Sequence, residues 1–262
     1  MRSVLVLFLT LLVSFSLAAG SQSGALPENQ LSPDDYKERE ALRLTSLLDS
    51  RDEEVRLDTV IRLASLRTAA AGRALASASS DQSARVRAAA IVGIGNSGDP
   101  SFAPIVAARL LEDKSLFVRK CAAYALGKLR SDQSVTALTS GLRDKDLEVR
   151  GAAAVALGEY ESHDPTAIAA LTAALSDTSE FVRERSARAL GRYGRASASA
   201  VPTLIRLLTT DPGHGVKLQA AIALGEIGDR SALPDLETAT HDKNPYVSRA
   251  ATEAVKRIVE SR

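Results

Sequence analysis

A valine followed by a basic residue recurs along this chain at a nearly constant interval. The valines are Val55, Val86, Val118, Val149, Val182, Val216 and Val247, separated by 31, 32, 31, 33, 34 and 31 residues. The next residue is Arg56, Arg87, Arg119, Arg150, Arg183 or Lys217, and Ser248 closes the series. From the second valine onward an aspartate stands five places earlier: Asp81, Asp113, Asp144, Asp177, Asp211 and Asp242. A period of this size with helical patterning is the signature of a stacked helical array. Such an array buries its repeat residues and displays a long surface. The question of function therefore moves from catalytic motifs to what that surface holds.

Two kinds of helix alternate. The first has proline near its start, as in Ala103-Pro104 and Val201-Pro202, where the missing N–H costs little. The second begins near the valine. Counting valine as zero, positions 0, +4, +7, +8 and +11 are small or apolar in nearly every repeat, a 3.6-residue stripe facing the stack. Position +9 is glycine in Gly95, Gly127, Gly158, Gly191 and Gly225. Interior glycine costs about 1 kcal/mol relative to alanine, so its recurrence implies either a close helix–helix approach or a loosening near the helix end. The aspartates fall in the turn before the second helix, where they can accept from its first N–H groups. The basic residues lie one turn in, within reach of the aspartate of their own or the adjacent repeat. Together Asp81, Arg87, Asp113, Arg119, Asp144, Arg150, Asp177, Arg183, Asp211 and Lys217 are expected to form a structural ladder along the stack.

The aspartate five places before valine, with the V-R-x-x-A-A-x-A-L-G core seen nearly intact at 118–127 and 149–158, resembles the HEAT repeat in its shorter, phycobilisome-lyase-type form. The resemblance covers about residues 36 to 260 and implies an all-α, right-handed α-α superhelix of the HEAT/armadillo type with about seven two-helix repeats. The first repeat has Ser50 in the aspartate column, and the last has Ser248 and Lys256 where arginine and glycine are usual. Terminal repeats depart in this way because one face meets water. The family spans scaffolds, transport receptors and a few enzymes, so the resemblance speaks to fold more than function.

Outside the repeats, Arg2 precedes an almost wholly apolar stretch from Val4 to Leu17, followed by Ala18, Ala19 and Gly20. That pattern reads as a secretory signal peptide over residues 1–20, with an uncleaved inner-membrane anchor at 4–19 as the alternative. Polar residues 21–33 read as a flexible linker, and the solenoid is expected over 34–262. Ser32 and Pro33 suit a helix cap and a first helical residue. Export to the periplasm or beyond follows from this reading. The single cysteine, Cys121, excludes an internal disulfide, and alanine fills its column in three other repeats, so it reads as a helix-packing residue.

No constellation points to catalysis. Gly93, Gly95 and Gly98 spell the dinucleotide fingerprint, but they close a helix instead of joining a strand to one. His163, His214 and His241 sit in turns of different repeats, without the spacing of a zinc site. Deoxyhypusine hydroxylase, a HEAT-like enzyme, holds two irons through paired His-Glu motifs; here His163-Asp164 and His241-Asp242 are the nearest approach. A net charge of +1 lacks the basic excess of a nucleic-acid binder. The expectations are thus no cofactor, no metal, no nucleic acid and a monomeric chain.

In HEAT-like stacks the second helices line the concave face. Column +6 reads Ile61, Val92, Tyr124, Val155, Arg188, Ile222 and Glu253, and column +10 reads Ser65, Asn96, Lys128, Glu159, Arg192, Glu226 and Arg257. One turn apart on one side of the helix, they outline a groove with an apolar row beside mixed charges. Val92, Tyr124, Lys128, Val155, Glu159, Arg188, Arg192, Ile222 and Glu226 are the candidate partner-binding residues, with Tyr124 as anchor and the two arginines as a carboxylate-binding end. Whether column +6 is a second buried stripe is left open. The turn edge with Phe117, Phe181 and Tyr246 is a second candidate, expected to pack between repeats. The reading is an exported, non-catalytic scaffold for a protein or extended peptide. Its rivals are a lyase-type accessory handling a chromophore or small ligand, and a membrane-tethered assembly factor.

Overall fold

The structure is a computed structural model in which residues 32–160 and 164–260 are described. The signal-peptide reading, most of the linker and His163 lie outside the described residues. Among the described residues the chain forms fourteen α-helices and no strand. The first helices of the seven repeats are α1 Pro33–Thr45, α3 Ala69–Ala78, α5 Ala103–Glu112, α7 Asp132–Gly141, α9 Pro165–Ala174, α11 Val201–Thr210 and α13 Leu233–Ala239. The second helices are α2 Glu53–Leu66, α4 Ala84–Ser97, α6 Leu116–Leu129, α8 Leu147–Leu157, α10 Glu180–Arg192, α12 His214–Ile227 and α14 Pro245–Glu260. The fold is an α-α superhelix.

Local chemistry sets the boundaries. The Ser32 hydroxyl accepts from the Asp35 N–H, and Pro33 is already helical, so the last residues of the expected linker belong to α1. Asp52, Ser83 and Asp146 cap α2, α4 and α8 in the same way, satisfying amide groups that have no partner inside the helix. Gly98 and Gly228 end α4 and α12 with φ of 71° and 74°, a left-handed turn that glycine enters without strain.

The core is the stripe that the second helices share. At position +8, Leu63, Ile94, Leu126, Leu157, Leu190 and Leu224 are all fully buried, each worth about 1.5–3 kcal/mol of transfer free energy. The valines at position 0 are equally buried except Val55, which no described repeat precedes. Two tyrosines at +11 also serve the backbone. Tyr160 donates to the Leu126 carbonyl at 2.9 Å and Tyr193 to that of Leu157 at 2.7 Å, each satisfying a carbonyl near the end of the preceding second helix. Burial pushes the Tyr193 hydroxyl up to about 12.

Second helices pack on one another more closely than first helices do, which places them on the inner side of the curve. The +9 glycines explain how. A Cβ added at Gly95 would stand 2.8 Å from the Ala125 Cα, and one at Gly225 would stand 2.8 Å from the Ala254 Cα. At Gly127, Gly158 and Gly191 the obstacle is again the +7 alanine of the next repeat, at 3.0 Å. Of the two explanations open from sequence, close approach is the general one, because only α8 ends at its glycine. Repeats one and two invert the pair: Ala64 occupies +9, and Gly93 takes the alanine's place opposite it, where a Cβ would lie 2.9 Å from the Ala64 Cβ.

Candidate functional site: the inner face

The turn edge is occupied by the ladder. Arg119 uses Nε and Nη2 to grip both carboxylate oxygens of Asp144 in the next repeat, at 2.7 and 3.0 Å. Its Nη1 donates to the main-chain carbonyls of Asp113 and Lys114 in its own turn, at 3.0 and 3.3 Å. Arg87–Asp113, Arg150–Asp177 and Arg183–Asp211 repeat this geometry, and Arg56–Asp81 begins it with the Ser50 carbonyl standing in. Each aspartate also receives an N–H from two residues on, such as Ser115 to Asp113 at 2.9 Å. Adjacent repeats are therefore joined through carboxylates, and each arginine contacts its own aspartate only through the carbonyl. Burial pushes the Asp113 carboxyl up, but Arg87, the Ser115 N–H and Arg109 outweigh it and hold the group below the usual range. With its donors and acceptors engaged, this edge is structural.

The inner face is different. In column +6, Ile61, Val92, Tyr124 and Ile222 are exposed, Tyr124 by 44%, and Val155 is half-buried. The column is thus not a second core stripe but an apolar row open to solvent. Arg188 and Glu253 continue it, both exposed. In column +10 the charges link neighbours in twos: Lys128 donates to Asn96 at 2.6 Å, Arg192 bonds Glu159, and Arg257 meets Glu226 at 3.3 Å. Ion pairs this exposed contribute little stability. They do fix where the long side chains stand.

Two adjoining depressions follow. Tyr124, Gly127, Lys128, Arg130, Val155 and Glu159 line one of about 570 Å³. Val155, Glu159, Arg185, Arg188 and Arg192 line a smaller one of about 150 Å³ beside it. The two share Val155 and Glu159, so Tyr124, Lys128, Val155, Glu159, Arg188 and Arg192 are brought into one continuous surface. Val92 lies one repeat toward the N-terminus. Ile222 belongs with Leu218 and Tyr246 to a separate cleft of about 700 Å³ between α12 and α14, with Glu226 beside it on the column.

The sequence reading missed Arg185 and Arg130. Arg185 stands at +3, with its guanidinium 5.0 Å from the Phe181 ring centre, and its Nε is buried without a hydrogen-bond partner. The signal was available: α10 alone carries arginine at +3, +6 and +10, which places three cations on one helix face. At the turn edge Phe181 packs on Gly151, whereas Phe117 and Tyr246 are exposed, so only one of the three expected inter-repeat aromatics is enclosed. Cys121 is partly buried against the core, and burial pushes its thiol up, away from the reactive thiolate form. His214, His241 and Asp242 line one depression near the C-terminal end of the stack. Among the described residues no group of three or more histidine, cysteine, aspartate or glutamate side chains is placed to hold a metal.

A helical solenoid with an open inner face defines a repeat protein of the interaction class. The model of the family described as HEAT repeats matches residues 41–120, 73–158, 106–191, 137–222 and 168–256 in overlapping windows. The chain belongs to that family. Its structure is similar to that of the Escherichia coli protein YibA, at 22% identity over 85% of this chain and 82% of that one, with a TM-score of 0.64. It is also similar to the archaeal HEAT-like repeats protein from Thermococcus onnurineus, at 13% identity over 84% and 97% of the two chains, with a TM-score of 0.59. A third likeness is to the complex of CpcE and CpcF of phycocyanin lyase from a Nostoc species, at 21% identity over 92% of each chain, with a TM-score of 0.51. At these identities the likeness is one of fold. No curated protein matches the sequence.

Proposed function

We propose that this chain is an exported, non-catalytic interaction scaffold that holds a protein or an extended peptide along its inner face. The observation that carries the reading is the apolar row of exposed Val92, Tyr124 and Ile222, with half-buried Val155 among them, along the face formed by the second helices. Exposed apolar side chains in a row, rimmed by polar groups, are what an interaction site presents. Tyr124 supplies the anchor. Export rests on residues 1–20, and the sequence of the mature N-terminus tests it: a start near residue 21 supports release, and an intact Met1 supports a membrane-tethered form instead. Among the described residues no helix is long and apolar enough to cross a membrane.

The test of the scaffold is capture from a native extract by the full chain and by a Tyr124→Ala, Arg188→Glu double variant of equal helicity. A partner held by the parent and lost by the variant supports the inner face. Equal capture by both moves the site to the turn edge around Phe117. The likeness to the CpcE and CpcF complex favours a second reading, an accessory protein carrying a chromophore or small ligand. A visible absorption band in the purified protein would support it.

A further inference from the structure

The inner face is not chemically uniform. Lys128, Arg130, Arg185, Arg188 and Arg192 line the two central depressions with Glu159, the one carboxylate among their described lining residues. The whole chain carries a net charge of only +1, so this concentration is local. Glu159 is already bonded to Arg192, and Lys128 is held by Asn96. Arg188 is exposed and, among the described residues, no hydrogen bond or ion pair engages it, and Arg185 beside it has the buried Nε without a hydrogen-bond partner. Anion-binding capacity is therefore centred on α10, and apolar members of column +6 lie on both sides of it.

Resting on the reading of this face as a binding surface, we infer that the inner face recognises an extended acidic segment whose carboxylate docks on Arg188, between apolar side chains seated at Tyr124 and Val155 in the central groove and at Ile222 in the neighbouring cleft. The repeat fixes the spacing. Packed helices stand about 8–10 Å apart, and a chain in the polyproline II conformation advances about 3.1 Å per residue with three residues per turn, so every third residue faces the next repeat. The segment read along repeats three to six is apolar-x-x-apolar-x-x-Asp/Glu-x-x-apolar, in one chain direction or the other. The guanidinium fork suits a carboxylate held by two parallel hydrogen bonds, and the surrounding cations speed encounter and make binding salt-dependent. A phosphate backbone fits less well, because Val155 and Tyr124 interrupt the basic surface where successive phosphates would need cations.

A random peptide library displayed on phage, selected against the full chain and against an Arg188→Glu variant of equal helicity, tests the inference. Selected sequences are expected to be rich in Asp and Glu, with apolar residues three places away. Their affinity is expected to fall on the order of ten- to a hundredfold with Arg188→Glu, the range for a lost charge-assisted hydrogen bond, and to weaken as salt is raised. Peptides without acidic enrichment, or with equal affinity for the variant, would overturn it. So would displacement of the peptides by a single-stranded oligonucleotide at lower concentration than by free peptide. A library that yields no binder also overturns it. If the native extract still gives a partner lost on Tyr124→Ala, the scaffold stands and the occupant is a folded surface. If neither the library nor the extract gives a partner, the scaffold reading fails with it.

Discussion

The middle of the ladder and its C-terminal end use the same charges to different effect. Arg119 makes four hydrogen bonds at once, two across to Asp144 and two to carbonyls of its own turn, with a side chain 5% exposed. Lys217, in the equivalent place one repeat from the end, reaches only one oxygen of Asp242, at 3.5 Å. Asp242 is held low first by the Asn244 N–H and only then by the lysine. Beyond it Ser248 has no charge to offer and donates to the Thr240 carbonyl instead. Opposite charge is present at both places. What the end lacks is the planar fork, which satisfies two repeats with one rigid group.

Acid would remove the whole series and is the largest expected effect. Asp81, Asp113, Asp144, Asp177 and Asp211 are each buried enough to be pushed up, yet their arginines and turn N–H groups hold them net below the usual value. Their folded pKa values are therefore lower than the unfolded value of about 3.9. The stabilisation is complete above that value and is lost as pH falls through the lower folded values. Urea midpoints followed by circular dichroism should be flat above about pH 5 and drop steeply below about pH 4. A midpoint that stays level in acid would mean the rungs contribute nothing.

A single central rung comes next. Arg119→Ala leaves the Asp144 carboxylate enclosed without its cation and should cost about 3 kcal/mol, as breaking a buried pair does. Lys217→Ala, at the open end, should cost under about 1 kcal/mol. Equal losses in urea unfolding would show that the fork geometry is irrelevant. The smallest effect sharpens the contrast: Lys217→Arg should restore a bidentate rung and add up to about 1 kcal/mol, confined to the last repeat. Slower amide exchange in α14 alone is the expected outcome; unchanged exchange there would mean the last turn has no room for the fork.

The repeat, its helices and its buried stripe were legible because each rests on spacing within one helix. Relations between repeats were legible only in part. The spacing left open whether each arginine pairs with the aspartate of its own or of the adjacent repeat; the carboxylate contact crosses to the next repeat, a step of 25 to 28 residues that no local pattern displays. The exchange of Ala64 and Gly93 looks like two lapses from consensus until the packing shows one compensating the other. Whether column +6 is a surface row or a second core stripe stayed open, because its exposure depends on how far each helix turns toward its neighbour. Arg185 was overlooked because its column holds mostly small residues elsewhere; the run of three arginines on α10 was the available clue.

The glycine–alanine contacts along the inner row carry a mechanical consequence. Glycine backbone against an alanine methyl and Cα leaves no flexible side chain to compress, so the inner rim behaves as a chain of hard stops. The superhelix cannot curl more tightly than it already does by closing that rim. Any flexing must open the curve, with the second helices as fulcrum and the more loosely packed first helices sliding past one another on the outside. The stack is thus stiff against squeezing and compliant against spreading, and a guest along its inner face would meet a wall that widens more readily than it tightens.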